Sequence, residues 1–168
     1  MSNILTIGYT VEGSTDQRFL HNIIRRTFEE IALDCKGMIE VYEPVYIKFD
    51  RKNGFAEDVL NLSAQAFRRG INIFCIHVDA DGATDEVAWA HKLVPAFEIV
   101  AQSANSETCK NLVAVVPVYM SEAWMLADKS LLKEEIGTEL SNQDLQLTQA
   151  PERIANPKQS IEMALNIA

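Results

Sequence analysis

Only seven glycines and five prolines occur in 168 residues, too few for a long flexible linker or a disordered tail. Cysteine is equally sparse. Cys35, Cys75 and Cys109 are odd in number and lack C-x-x-C spacing, so no disulfide framework is expected, and reduced thiols fit a cytoplasmic protein. No apolar run reaches membrane-spanning length, and Met1-Ser2-Asn3 lacks the basic start and cleavage site of a signal peptide. No membrane partner is expected. The absence of a Gly-x-Ser-x-Gly elbow and of a glycine-rich loop ending in Lys-Ser/Thr removes serine hydrolases and P-loop NTPases. Positive charge is also in deficit: 15 Lys and Arg face 24 Asp and Glu, a net charge of −9. Such a surface repels nucleic acid at long range, which argues against a sequence-reading DNA module. It argues less against a nuclease, because a metal-binding carboxylate cluster is acidic until its ions arrive.

What remains is 48% hydrophobic and 23% charged, the make-up of one soluble domain with a real core. Ile4–Val11 is a short β-branched run ended by Glu12-Gly13. Ser14 with Gln17 reads as a capping box for a helix striped by Leu20, Ile24, Phe28 and Ile31. Val41–Phe49 reads as a second strand, and Pro44 inside it, which cannot donate to a ladder, argues for an edge position or a bulge. Phe55, Val59, Leu62 and Ala66 form a helical stripe closing on Arg68-Arg69-Gly70. Ile71–Val78 is almost wholly apolar, as a central parallel strand is. A helical stretch from about 85 to 104 must kink or restart at Pro95. Leu112–Val118 is a fourth strand, after which Ser121 caps a short helix carrying Glu122, Trp124 and Asp128. From Gly137 to Asn156 the chain turns polar, and Ile161–Ile167 suggests a last helix. That helix ends without Gly or Pro, which leaves room for the natural chain to continue beyond Ala168.

This alternation predicts an α/β fold with a mostly parallel four-stranded sheet and helices on both faces. Residues 1–136 are expected to form it, with 137–168 a polar loop and helix packed on it, one domain overall. In such a sheet the strand ends lie along one edge, and acidic residues stand at several of them: Glu12, Asp16, Asp79, Asp81 and Glu122. Carboxylates suit a hard cation such as Mg²⁺ or Mn²⁺. Each also has a plainer reading: Asp81-Gly82 is a common turn pair, and Asp16 a helix first-turn charge. Lys48, Arg51 and Lys52 follow the second strand on the expected edge and are candidates for holding a phosphate backbone. His77, on the strand face of Asp79 by alternation, reads as a core histidine or a support for that site.

Val11-Glu12-Gly13-x-Thr15-Asp16 after the first strand, with Asp79-x-Asp81-Gly82 after the third, resembles the TOPRIM domain of topoisomerases, primases and nucleases of the overcoming-lysogenization-defect type. The resemblance covers roughly residues 3 to 128 and extends to small standalone TOPRIM-like proteins of prokaryotic defence or mobile gene clusters, which carry a segment like Ser121-Glu122-Ala123-Trp124. It implies a TOPRIM-like, Rossmann-like sheet and metal-dependent hydrolysis of DNA or RNA. Glu12, Asp79 and Asp81 would be metal ligands, Asp16 and Glu122 would complete a second position, and Lys158 would stabilise charge on the phosphate. A partner protein from the same gene cluster is implied too, and the exposed second strand allows for a homodimer. Two alternatives stay open: a non-catalytic metal- or nucleotide-binding regulatory module, and a phosphotransferase using Asp79-x-Asp81.

Overall fold

The structure, a computed structural model, describes residues 3–11, 13–104, 106–119 and 121–168, without the side chains of Ser14 and Thr15. The described residues form two compact units, one of residues 1–78 and 89–115 and the other of residues 79–88 and 116–168.

The first unit holds the sheet. Strands β1 (Asn3–Leu5) and β2 (Ile7–Thr10) are one run of chain broken at Thr6. There the Thr6 amide and hydroxyl bond the Asn72 side chain instead of a strand. On the next segment β3 (Ile39–Val41) pairs with β1 and β4 (Val45–Tyr46) with β2. Leu5 faces Val41 and Gly8 faces Val45, so three residue steps on one side are matched by four on the other. The extra residue falls in the Tyr42–Pro44 stretch, and β4 lies at the edge of the sheet. Both expectations drawn from Pro44 are met.

β5 (Ile73–His77) and β6 (Leu112–Val115) complete a four-stranded sheet in the order β4-β2-β5-β6, every pair parallel. Phe74 to Val78 are all buried, as the unbroken apolar run requires. Between strands come α1 (Ser14–Asp34), α2 (Phe55–Arg68) and α4 (Val94–Gln102), the last preceded by α3 (Glu86–Ala88), which belongs to the second unit. Right-handed crossovers in this order carry α1 over one face and α2 and α4 over the other, and α2 packs on α4. The protein is thus an α/β fold built on a parallel sheet.

Local chemistry explains the helix ends. The cap of α1 is Gly13, with Ser14 already helical and no side-chain cap bond, so Ser14 is not the cap that the box read from Ser14 and Gln17 requires. Asp16 is buried in the first turn, and its Oδ2 would lie 2.8 Å from a Cβ built on Gly13: the carboxylate folds back over a cap with no side chain. Arg69 caps α2 and Gly70 follows at φ 69°, the left-handed exit that glycine permits. Pro95 opens α4, and the preceding turn, Trp89–Leu93, is π-helical. A proline without an N–H, crowding the carbonyl four residues back, leaves that turn too wide for α geometry.

The second unit consists of short helices and turns: α5 (Glu122–Met125), α6 (Lys129–Ile136) and α7 (Pro157–Ile167). The short helix expected to carry Glu122, Trp124 and Asp128 stops at Met125, and Asp128 instead caps the next helix, α6, by accepting from the amides of Ser130 and Leu131. The polar stretch after Gly137 hides Leu145 and Leu147, both fully buried against Leu126, Ile154 and Ala164.

Candidate functional site

Strand order locates the place to look. From β2 the chain crosses to β4 on one side, and from β4 it returns past β2 to β5, so the winding reverses between β2 and β5. The C-terminal ends of two such strands flank the crevice where open α/β sheets bind ligands. Thr10 ends β2 and His77 ends β5; Glu12 and Asp79 each stand two residues further along the chain. Glu12 lies outside the described residues.

Within the second unit, segments 79–82 and 117–121 are laced together. The amide of Ala80 donates to the Pro117 carbonyl, that of Asp81 to the Tyr119 carbonyl and that of Tyr119 to the Gly82 carbonyl, at 3.0 to 3.1 Å. The Ser121 amide donates to Asp79 Oδ1 at 3.2 Å. Asp81 (φ 54°) and Tyr119 (φ 62°) both adopt the left-handed conformation, which asparagine and aspartate tolerate and a tyrosine seldom does. The structure therefore brings Asp79 to the residue just before Glu122, which is half-buried in the first turn of α5. Asp81 is exposed on the same loop. Lys158 is exposed in the first turn of α7, which packs on α5. No group of three or more His, Cys, Asp and Glu side chains able to hold a metal ion occurs among the described residues.

In the first unit, Asp16 is buried at the start of α1, where a negative charge favours the helix dipole. Lys48 is exposed and paired with Asp50 at 3.3 Å. The Arg51 guanidinium lies 5.8 Å over the Phe49 ring. Lys48 and Lys52 line a groove of about 370 Å³ against α2, whose other polar walls include Asn61, Gln65 and Arg68. Arg51 is not among its lining residues, while Arg68, not expected there from the sequence, is. The spacing of Asp58, Asn61, Gln65 and Arg68 is a polar stripe along one helix face, a periodicity that could have found it. Asp58 is buried and accepts from the amides of Lys52 (3.0 Å) and Asn53 (3.1 Å), fixing the loop that carries Lys52.

His77 is buried. His21 lies 3.1 Å from Glu43 and 3.3 Å from the Tyr9 hydroxyl, and burial pushes the Tyr9 phenol up. Burial also raises Cys75, to about 12, and Cys109, so neither is a thiolate nucleophile near neutrality.

A family model matches residues 11–167, from the end of β2 to the last turn of α7. The chain belongs to the DUF4276 family. That family is described as a domain of unknown function, and its match takes in both units of the fold. No curated protein and no solved structure gives a significant match to this DUF4276 chain.

Proposed function

We propose that the protein hydrolyses phosphodiester bonds of DNA or RNA with the help of Mg²⁺ or Mn²⁺. The observation that carries this reading is the reversal of winding between β2 and β5, because the sequence sets Glu12 and Asp79 just beyond those two strands. Glu12, Asp79 and Asp81 would hold the cation, with Asp16 and Glu122 available to a second one. All five donors are carboxylates, the ligand type a hard cation prefers over nitrogen or sulfur. When bound, the cation would supply Lewis acidity to a phosphate oxygen and activate water.

The chain's own residues do the rest. The Ser121 amide fixes one oxygen of Asp79, so the carboxylate is oriented before any ion arrives and loses little freedom on binding. The backbone bonds from Ala80 and Asp81 to the 117–119 segment hold the loop that carries both aspartates. Lys158, exposed at the head of α7, supplies a positive charge for the phosphate in the transition state. A cytoplasmic setting, a role in defence or mobile-element biology and a partner from the same gene cluster belong to the same proposal and rest on the TOPRIM resemblance.

The test is cleavage of plasmid and single-stranded substrates with Mn²⁺, beside Glu12→Gln and Asp79→Asn. Nicking that needs the metal and is lost in both variants is the expected result. Cleavage that survives in both marks a contaminant and overturns the reading. Mn²⁺ binding without cleavage makes the protein a binding module.

A further inference from the structure

We propose that the groove between residues 48–53 and α2 is a binding track for one single strand of nucleic acid, held by its phosphates. This deepens the reading above and rests on it for the identity of the occupant. The groove's helical wall runs from Asp58 to Arg68, ten residues and so about 15 Å at the helical rise. The space along it is about 370 Å³ and lies open to solvent on one side. A single backbone can lie along a groove of that size, whereas a duplex, far wider than the groove, could only rest against its rim. An extended strand spaces its phosphates more widely than the roughly 3.4 Å per nucleotide of a stacked duplex strand, so the wall spans at most about four nucleotides.

The lining suits phosphate oxygens. Lys52 and Arg68 bring two positive charges, Lys48 a third that it shares with Asp50, and Asn53, Asn61 and Gln65 bring amide donors. Two acids also line the groove. Asp50 is paired with Lys48, and both oxygens of Asp58 accept backbone amides. Lys52 and Arg68 have no ion pair among the described residues, which leaves their charge for a ligand. In a protein of net charge −9, a walled stretch with cations on both sides is the local exception that backbone binding needs.

Binding is read by fluorescence anisotropy in EDTA, with a labelled single-stranded 12-mer and the duplex of the same sequence, from 50 to 200 mM salt. The single strand is expected to bind at least tenfold more tightly than the duplex. Replacing Lys52 and Arg68 together by Ala, both exposed positions, should lower the slope of log affinity against log salt by about 1.4, two contacts at about 0.7 each. At 50 mM salt the affinity should fall at least tenfold. Asn61→Asp, isosteric and exposed, should weaken binding without loss of fold, while Arg26→Ala on α1 should change nothing. Equal binding of duplex, or an unchanged salt slope in the double variant, overturns the proposal. So does displacement of the 12-mer by a nucleoside monophosphate or inorganic phosphate at the same phosphate concentration, since the groove would then be a single-anion pocket. Glu12→Gln should bind the 12-mer like the unaltered protein. Failure of the catalytic reading therefore leaves this result intact, and retained cleavage with an unaffected double variant removes only the groove.

Discussion

Two loops follow parallel strands of this protein, and they are held in different ways. The loop after β5, residues 79–82, is tied by main-chain bonds to a second loop and contains a left-handed Asp81 opposite a left-handed Tyr119. In the loop after β4, residues 48–54, two consecutive amides are gathered by one buried side chain, Asp58. Backbone lacing depends on conformation and tolerates many side chains, whereas a single buried carboxylate is a point of failure. The first loop carries two of the proposed metal ligands, Asp79 and Asp81, and the second carries the two lysines of the proposed phosphate track, Lys48 and Lys52.

Asp58→Ala should have the largest effect. It strands two amides that were bonded to a charged acceptor, a loss of about 2–4 kcal/mol, visible in urea denaturation. A loss below about 0.5 kcal/mol, the range of neutral surface changes, would mean that the second loop has another anchor. Gly8→Ala comes next, because β2 pairs with β4 on one side and β5 on the other and so supports both loops. A Cβ at Gly8 would lie 2.5 Å from Ile71 Cδ1 and 3.1 Å from Phe74 Cδ2, an overpacking worth about 1–3 kcal/mol. Tyr119 sharpens the contrast from the other side. Asn accepts a left-handed backbone and Val resists it, so Tyr119→Val should be less stable than Tyr119→Asn by about 1 kcal/mol. Equal stabilities would show that the lacing does not depend on this conformation.

The smallest expected effect concerns β5 itself. At pH 8, iodoacetamide should label native protein once, at the exposed Cys35, and leave the buried Cys75 and Cys109 unmodified until denaturation, as mass spectrometry would count. Burial raises Cys75 from 9.0 to about 12. Its contribution to stability is therefore complete below about pH 9 and declines as pH climbs toward 12. Stability should not change on its account between pH 7 and 8.

The sheet was legible because burial on both faces writes itself into sequence as continuous apolar runs, as in Ile71–Val78, and because Pro44 can sit in few places in a ladder. The ends of α2 were legible for a similar reason: Gly70 at positive φ leaves few alternatives. The second unit was harder to read. Asp128 looks like any acid on a helix until its acceptor role shows that one helix stops and another starts. Leu145 and Leu147 stand in a polar stretch, with Gln146 between them at φ 58°, so no period of two or 3.6 announces their burial. The candidate groove was half legible. Lys48 and Lys52 follow from strand position, but Arg68 enters only through the pitch of α2, and Arg51 turns to Phe49 instead.

The added residue at Tyr42–Pro44 has a consequence for the protein among its own kind. A long straight outer strand offers its free amides and carbonyls to any neighbouring chain. Here that rim is cut into pieces of three and two residues, with a proline buried between them. An invading strand would find too few consecutive partners to zip along this edge.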